Sequence, residues 1–384
     1  MIQKEEYFSI NKILLLMIGL WPYQQSNFTR FQHILVIITL IAIIIFQLTV
    51  FLTLSCTLDL LMKILSSIFF FAIFIIKYNA FCFNIKGVKN LMMQLQNVHN
   101  RLKDQNEITI MRKYNYNAKR YTIIITTLGI CGIFGDIILQ FWMNMVDNSA
   151  KNSSQSFHFL ITTEYFIDQK KYFYLIFLHI NAAICVGVIS IIAIGTVNIV
   201  YIQHICGMFR IASYRIECVI NINNVSLKNE NWMAKGLIYA VDIHRQAMIL
   251  AKYFTSTFQK MFACLIVCGV ALCSLSLFQL SSLKNDIQKL FISFLSVLMI
   301  IIYMFLTNLM GQNITDHNNY VLTTVYNVKW YKTPLHIQKM ILFLLQIGAK
   351  EFTLNIAGLI HGSMEGFAML TKASISYFTV IHSL

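Results

Sequence analysis

The sequence predicts an all-α polytopic membrane protein with seven transmembrane helices. Of its 384 residues, 57% are hydrophobic and 12% are charged, whereas soluble domains carry about 25% charged residues. Several apolar runs reach the roughly 20 residues that a helix needs to cross a bilayer. Lys and Arg residues gather in every second connecting segment, as expected of a chain that crosses a membrane repeatedly. These three observations favour a helical bundle embedded in lipid.

Residues 1–33 are predicted to form a cytoplasmic N-terminus with a short membrane-dipping helix. The apolar run over 13–21 is too short to cross a bilayer, and it stops before Pro22. Acidic residues near the start and the absence of a small-residue cleavage site do not fit a signal peptide.

Seven apolar runs are predicted to be the spans, and they divide the rest of the chain. The first six lie within 34–311, and the fourth is long enough to project into water. Residues 312–351 are predicted to be a cytoplasmic linker with a short anchor helix, followed by a seventh helix over 352–384. The predicted spans are 34–54, 64–83, 121–146, 173–203, 253–283, 290–311 and 352 to the end.

The basic residues set the predicted orientation. The N-terminal segment and the segments after the second, fourth and sixth spans hold most of the Lys and Arg residues. The N-terminus is therefore expected in the cytoplasm, and the C-terminus outside the cell. Asn152 begins an Asn-Ser-Ser sequon in an outer loop and is a glycosylation candidate. The net charge of +14 is expected to face anionic lipid, so it gives no support to nucleic-acid binding.

Motifs for enzymatic chemistry are missing from the sequence. There is no HExxH, GxSxG, P-loop or CxxC pattern. Cys264 and Cys268 lie four residues apart, but no neighbouring His or Cys completes a tetrahedral metal site. We therefore predict neither an enzyme nor a bound metal or cofactor.

Two charged residues fall inside predicted spans. Lys77 is interpreted chiefly as a side chain that snorkels to the cytoplasmic headgroups, with a functional role as the alternative. For Asp136, a hydrogen bond to a neighbouring helix and a ligand-binding role are equally supported. The two residues are predicted to lie at different depths and not to pair.

Aromatic residues are frequent in the outer half of the predicted bundle. Such residues with few polar groups can line a cavity for a small apolar ligand, although ordinary packing and an interfacial aromatic belt are the favoured explanation for any single one. They include Phe70, Phe74, Phe134, Phe141, Trp142, Phe173, Tyr174, Phe177, Phe291 and Phe294.

The segment from 320 to 350 predicts a short helix that does not cross the membrane. Pro334 suits the first turn of a helix, and Gly348 suits its end. Because the apolar run between them is short and flanked by lysines, we interpret it as a helix held at the cytoplasmic face, where it would act as an oligomer anchor.

The C-terminal third carries two motifs that resemble the insect odorant receptor family. They read VYNVKWYKTPLHIQKMILFLLQ and AGLIHGSMEGFAMLTKASISYFTVI. Layout and hydropathy extend the resemblance to the whole chain. The matching positions include Tyr326, Trp330, Tyr331, Pro334, Gln338, Lys339, Ala357, Gly358, Ser363, Glu365, Phe367, Lys372, Ser374, Ser376, Tyr377 and Phe378.

The resemblance implies a subunit of a tetrameric, odorant-gated, non-selective cation channel whose last helix lines the central pore. The family pattern places Val380 at a hydrophobic constriction, with Leu384 one turn further out. Ala373 and Ser376 share that helical stripe. Glu365 is expected either to attract cations in the inner vestibule or to form an ion pair between helices.

The resemblance also implies partners. The link over 203–252 is shorter than in the family's shared co-receptor, so the chain resembles a ligand-tuned subunit that assembles with that co-receptor as a heterotetramer in the plasma membrane of olfactory neuron dendrites. The implied assembly residues are Trp330, Tyr331, Pro334, Gln338 and Lys339. A small volatile ligand is expected in an outer-half pocket lined by Phe70, Phe74, Gly135, Ile138, Trp142, Phe177, Asn181 and Phe291.

Three alternatives are considered. A gustatory receptor of the same superfamily shares the topology, but its usual Gln-Phe ending is missing from SYFTVIHSL. A G-protein-coupled receptor would need its N-terminus outside the cell. A purely structural membrane protein would carry no ligand-evoked current.

Overall fold

The computed structural model describes residues 9–24, 26–150, 161–168, 171–220, 230–282, 287–348, 352–356 and 358–383. Within these ranges the chain is almost entirely helical, and two very short strands interrupt it near the C-terminus. This architecture agrees with the predicted all-α class.

The first half of the chain forms six helices. Helices α1 and α3 are short, and α4 follows a Thr57 cap whose side chain accepts a hydrogen bond from the backbone N–H of Leu60. The helices are α1 Ser9–Met17, α2 Asn27–Leu48, α3 Val50–Thr53, α4 Leu58–Phe83, α5 Ile85–Arg101 and α6 Gln105–Ala150.

The second half contains the longest helices. Helix α7 is the central element, because it contacts α1, α2, α4, α6, α8 and α9. A single 3₁₀ turn, Trp330–Lys332, precedes α10. The elements are α7 Phe173–Ile220, α8 Glu230–Ser282, α9 Ile287–Asn327, α10 Leu335–Gly348, β1 Asn355–Ile356, β2 Ile360–His361 and α11 Met364–Ser383.

Six of the described helices are long and apolar enough to cross a membrane. They are α2 with α3, α4, α6, α7, α8 and α9. Helix α11, the predicted seventh span, is not among them. Its 20 residues include Glu365, Lys372 and several Ser and Thr residues, which lower its hydropathy.

The N-terminal helix begins and ends four residues before the apolar run that predicts it. Helix α1 ends at Met17, and Gly19 then adopts a φ of 74°, a left-handed conformation that favours glycine. The carbonyl of Ile18 accepts a hydrogen bond from the Tyr78 hydroxyl at 3.0 Å. The turn after α1 is therefore fixed to α4, whereas its predicted insertion into the membrane stays a prediction.

Four helices continue well beyond the length of a bilayer and form one end of the bundle, which we call the anchor end. It contains α5, α10, the first turns of α6 and α8, and the last turns of α7 and α9. The prediction that a linker begins at residue 312 is wrong, because α9 continues to Asn327. Packing explains the extension: the His317 and Asn318 side chains are hydrogen-bonded to Tyr114 of α6 and His244 of α8, at 2.9 Å each.

The predicted start of the last helix at residue 352 is also wrong. Strands β1 and β2 pair as an antiparallel hairpin before α11 begins at Met364. Gly358 has a φ of 73°, and its N–H donates to the Asn355 side chain at 2.8 Å, which closes the turn. At the end of the hairpin, a side chain at Gly311 would collide with the backbone of Gly362, so the close approach of α9 to this segment needs a glycine at residue 311.

Candidate functional site

Phenylalanine rings fill the contact between α4 and α7 in the half of the bundle away from the anchor end. Phe70, Phe71 and Phe74 pack edge to face, with centroid separations of 4.6–5.7 Å. The Phe74 ring is 1% exposed and lies directly against Gly187 of α7, where a Cβ atom would overlap it. The absence of a side chain at Gly187 therefore creates the slot that Phe74 occupies.

Polar side chains connect α6 and α7 beside this cluster. Asn181 is buried, and its amide donates to Gln140 of α6 at 3.5 Å and to the Phe177 carbonyl at 2.8 Å. Gln140 donates to the Asp136 carboxylate at 2.7 Å. The Phe177 ring packs on Phe141, with centroids 5.2 Å apart. The hydrogen bond that the structure gives Asp136 is thus made within α6, with Gln140, and not with the neighbouring helix that the sequence predicts as its partner.

Three predicted pocket residues of α6 lie apart from this group. Gln140 marks the side of α6 that faces α7, and at about 100° per residue Gly135, Ile138 and Trp142 lie on a broadly different side. Ile138 is 65% exposed and Trp142 63% exposed, and a Cβ at Gly135 would meet no atom within 4 Å. Within the described chain this side of α6 is therefore uncovered, and it lies away from the side on which Gln140 meets Asn181.

Phe291, the predicted pocket residue of α9, is also exposed. It lies about 120° around α9 from Tyr303, the α9 residue that reaches toward α4. The binding roles of Phe291 and of the three α6 residues stay predictions.

The segment over 161–168 folds onto the same end of the bundle. Thr49 donates to the Glu164 carbonyl at 2.7 Å, and the Tyr165 ring stacks on Phe46 with centroids 4.1 Å apart. The Tyr165 hydroxyl lies 2.7 Å from Nδ1 of His179. Burial raises the pKa of the Tyr165 phenol to about 12, so at neutral pH it is protonated and can donate this hydrogen bond. The segment therefore covers α2 and the start of α7.

Lys77 does not snorkel as the sequence suggests. Lys77 is 4% exposed, and its Nζ atom lies over the Tyr303 ring of α9, 4.7 Å from the ring centroid. A lysine at the centre of a membrane helix costs roughly 2.5–3.5 kcal/mol, and a desolvated cation–π contact returns about 2 kcal/mol. Among the described residues, neither Asp136 nor any other carboxylate forms an ion pair with Lys77.

Helix α11 packs through one side and leaves the rest uncovered. Its buried residues are Gly366, Leu370 and Ser374, and the Ser374 carbonyl accepts a hydrogen bond from Ser274 of α8 at 2.9 Å. The Phe367 ring packs on Phe305 of α9 with centroids 5.5 Å apart. These contacts fix the rotation of α11 against α8 and α9.

Two of the predicted pore residues lie outside that buried side, whereas Ala373 packs against the cluster of Leu370 with α8 and α9. Val380 is 58% exposed, Ser376 is exposed and Ala373 is half-buried. Glu365 is exposed, and within the described chain it has no cation at ion-pair distance. Leu384 lies outside the described residues, as does the glycosylation candidate Asn152.

The predicted assembly residues all lie at the anchor end. Gln338 donates to the Thr333 carbonyl at 2.8 Å, and its own backbone N–H donates to Pro334, so the turn into α10 is closed from both sides. Trp330 packs on Tyr331, and Lys339 is exposed. The outer side of this region presents large apolar side chains, namely Tyr326, Tyr331, Leu335, Leu342 and Phe343.

Sequence reasoning missed Tyr303 and Gly187. Tyr303, a tyrosine within an apolar span, could have been found from the sequence. A buried lysine needs either a carboxylate or the negative face of an aromatic ring as its partner. Gly187 carried no such signal, since its role depends on which α4 side chain faces it. In the part of the chain that the structure describes, no three His, Cys, Asp or Glu side chains group as a metal site would require.

A family model described as 7tm Odorant receptor matches residues 57–375 of the chain. The structure of the insect olfactory receptor OR5 from Machilis hrabei in complex with eugenol is similar, with a TM-score of 0.81, 14% identity and coverage of 100% of this chain and 99% of that chain. A second structure of OR5 from Machilis hrabei gives a TM-score of 0.77, 15% identity and coverage of 99% and 98%. No curated protein matches the sequence significantly. At these identities, the likeness to the solved structures concerns the fold alone.

Proposed function

The chain belongs to the 7tm odorant receptor family, and we propose that it is a ligand-tuned subunit of an odorant-gated cation channel. The observation that carries this proposal is the family match, which runs through the first part of α11. Proteins of the odorant receptor family act as receptors, so membership of the family gives no support to an enzymatic role. A multi-pass membrane protein is consistent with six apolar helices of spanning length.

Helix α11 is proposed to be the seventh span and to line the pore. Its polar content, which lowers its hydropathy, suits a helix that contacts water on one side. Val380 and Ser376 are exposed in the single chain, so their side chains can face a central pore or contact a second subunit. An apolar ring at Val380 would close the pore by excluding water, without any charged latch.

A co-receptor subunit is the proposed partner, and the anchor end is the proposed contact. Leu335, Leu342 and Phe343 are each more than 60% exposed on α10. This end is predicted to lie in the cytoplasm, where such side chains would face water if nothing covered them. Assembly through α10 and the neighbouring turns would bury them, while α8 and α9 hold α10 in place.

The ligand is proposed to be a small volatile molecule bound among α4, α6, α7 and α9, away from the anchor end. The aromatic cluster around Phe74 and Phe177 offers apolar contact, and the open side of α6 beside Gly135 offers space. The proposed location is the plasma membrane of olfactory neurons, with the C-terminus outside the cell.

Whole-cell recording tests this function. Cells would express the chain alone, the co-receptor alone, or both, and would receive a panel of volatile odorants with and without a G-protein inhibitor. We expect a fast cation current that resists the inhibitor, requires the chain for its odorant profile, and requires the co-receptor for its amplitude. Odorant-evoked signals that the inhibitor abolishes would contradict a channel.

A further inference from the structure

A buried cation without an acidic partner lies between α4 and α9. Lys77 is 4% exposed, and within the described part of the chain its only charge-related contact is the Tyr303 ring, 4.7 Å from Nζ. The ring face offsets part of the lysine's charge but accepts no strong hydrogen bond. Among the described residues, no acceptor lies at hydrogen-bond distance from the three ammonium N–H donors.

Lys77 occupies the same side of α4 as two predicted pocket residues. Phe70, Phe74 and Lys77 follow the i, i+4, i+7 spacing that places side chains on one face of a helix. Phe74 seats on Gly187 of α7, and Lys77 lies one turn closer to the anchor end. The three side chains thus form a column with aromatic rings above and a cation at its base.

We propose that Lys77 is the anion-binding group of the ligand site, so that the chain recognises small organic acids as their carboxylates. The ammonium would form a charge-assisted hydrogen bond with the carboxylate, which is stronger than a bond to a neutral oxygen. The alkyl or aryl part would lie along the Phe70 ring, which is partly exposed and packs on the buried Phe74 ring. Simple carboxylic acids titrate near pH 4, so at neutral pH the ligand carries the charge that the site lacks. This inference rests on the proposed odorant-binding function and specifies its ligand class.

The competing account is purely structural. The Lys77–Tyr303 contact would then hold α4 to α9, and acids would have no advantage over neutral molecules of the same size. The two accounts differ in ligand preference, which can be measured without assuming where the ligand binds.

The test compares straight-chain alkanoic acids with primary alcohols of equal length, on cells that express the chain and the co-receptor. In the wild type, the half-maximal concentration should be about tenfold lower for the acid. Lys77→Met removes the charge and shortens the side chain by one atom. It should raise the half-maximal concentration about tenfold for the acid and leave that of the alcohol unchanged. Lys77→Arg should retain the acid preference. Lys63→Met is the matched control, because it removes an exposed lysine from the same helix.

Equal potency of acid and alcohol in the wild type, or an equal shift for both in Lys77→Met, would overturn the inference. A complete lack of odorant-evoked current would count against the proposed channel function, and the inference would then be decided by binding. Radiolabelled alkanoate would be titrated onto the purified full chain: saturable binding that Lys77→Met abolishes supports the anion site, and no saturable binding to the wild type overturns it.

Discussion

Arg215 on α7 donates two hydrogen bonds to the carboxylate of Glu107 on α6, at 2.6 and 2.8 Å. A third bond runs from Arg215 to the Tyr239 carbonyl of α8 at 2.9 Å. Glu107 is 6% exposed, so without Arg215 its carboxylate would be buried with no compensating partner from this arginine. One arginine therefore ties three helices together at the anchor end.

Glu107→Gln is expected to destabilise the anchor end by about 1–3 kcal/mol, because it leaves Arg215 with a weaker, neutral acceptor. The measurement is the thermal unfolding midpoint of the purified chain in detergent. Glu217→Gln serves as the control: its pair with Arg210 is 4.0 Å long, and both side chains are more than a third exposed. Equal unfolding midpoints for the two variants would mean that the Arg215–Glu107 pair contributes no more stability than the exposed Arg210–Glu217 pair.

Gly187→Ala is expected to cost about 1–3 kcal/mol through overpacking, because the new Cβ would overlap the Phe74 ring. Unfolding midpoint and surface expression would both fall. Gly195→Ala on the same helix is the matched control, since a Cβ there meets no atom within 4 Å. Combining Gly187→Ala with Phe74→Leu should recover part of the loss. If Phe74→Leu recovered no stability, a contact other than the one with Phe74 would be what excludes a side chain at residue 187.

Trp142→Ala is expected to raise the half-maximal odorant concentration about fivefold or more without lowering surface expression, because a large ring beside open space contributes apolar contact to a ligand. Trp232→Ala, at an exposed tryptophan of the anchor end, should leave the dose–response unchanged. An unaltered response in Trp142→Ala would move the ligand to the side of α6 that faces α7, where Phe177→Ala becomes the informative variant.

Val380→Cys is expected to allow a thiol reagent, added from outside the cell, to block the odorant-evoked current, because the side chain is uncovered and is proposed to line the pore. Ser374→Cys, nearly isosteric and fully buried against α8, should resist the reagent. A current that survives the reagent in Val380→Cys at the cell surface would remove this residue from the pore.

The sequence predicts the helices well where an apolar run is long and free of charge. The first and fourth spans are examples, because burial in lipid leaves a helix as the only way to satisfy their backbone. The positions of the Lys and Arg residues also predict which segments lie together at the anchor end. By contrast, the hairpin before α11 looks like the start of an apolar helix, and only Gly358 and Gly362 indicate otherwise.

The rotation of a helix is harder to predict than its existence. Helix α6 is apolar on most sides along its second half, so its sequence does not indicate which side meets α7. Gln140, paired with Asn181, marks that side only once both helices are in place. The same holds for Lys77: its span is predictable, but its partner Tyr303 lies more than two hundred residues away in sequence and is defined only by the folded bundle.

Reconstitution in a planar lipid bilayer tests the channel proposal most directly. The purified chain and co-receptor would be incorporated without any G protein or nucleotide, and single-channel current would be recorded before and after an active odorant is added. The account predicts unitary cation openings that the odorant makes more frequent, and whose conductance or block changes with Val380→Cys. A silent bilayer, with both chains shown to be folded and bound to the odorant, would contradict a ligand-gated channel.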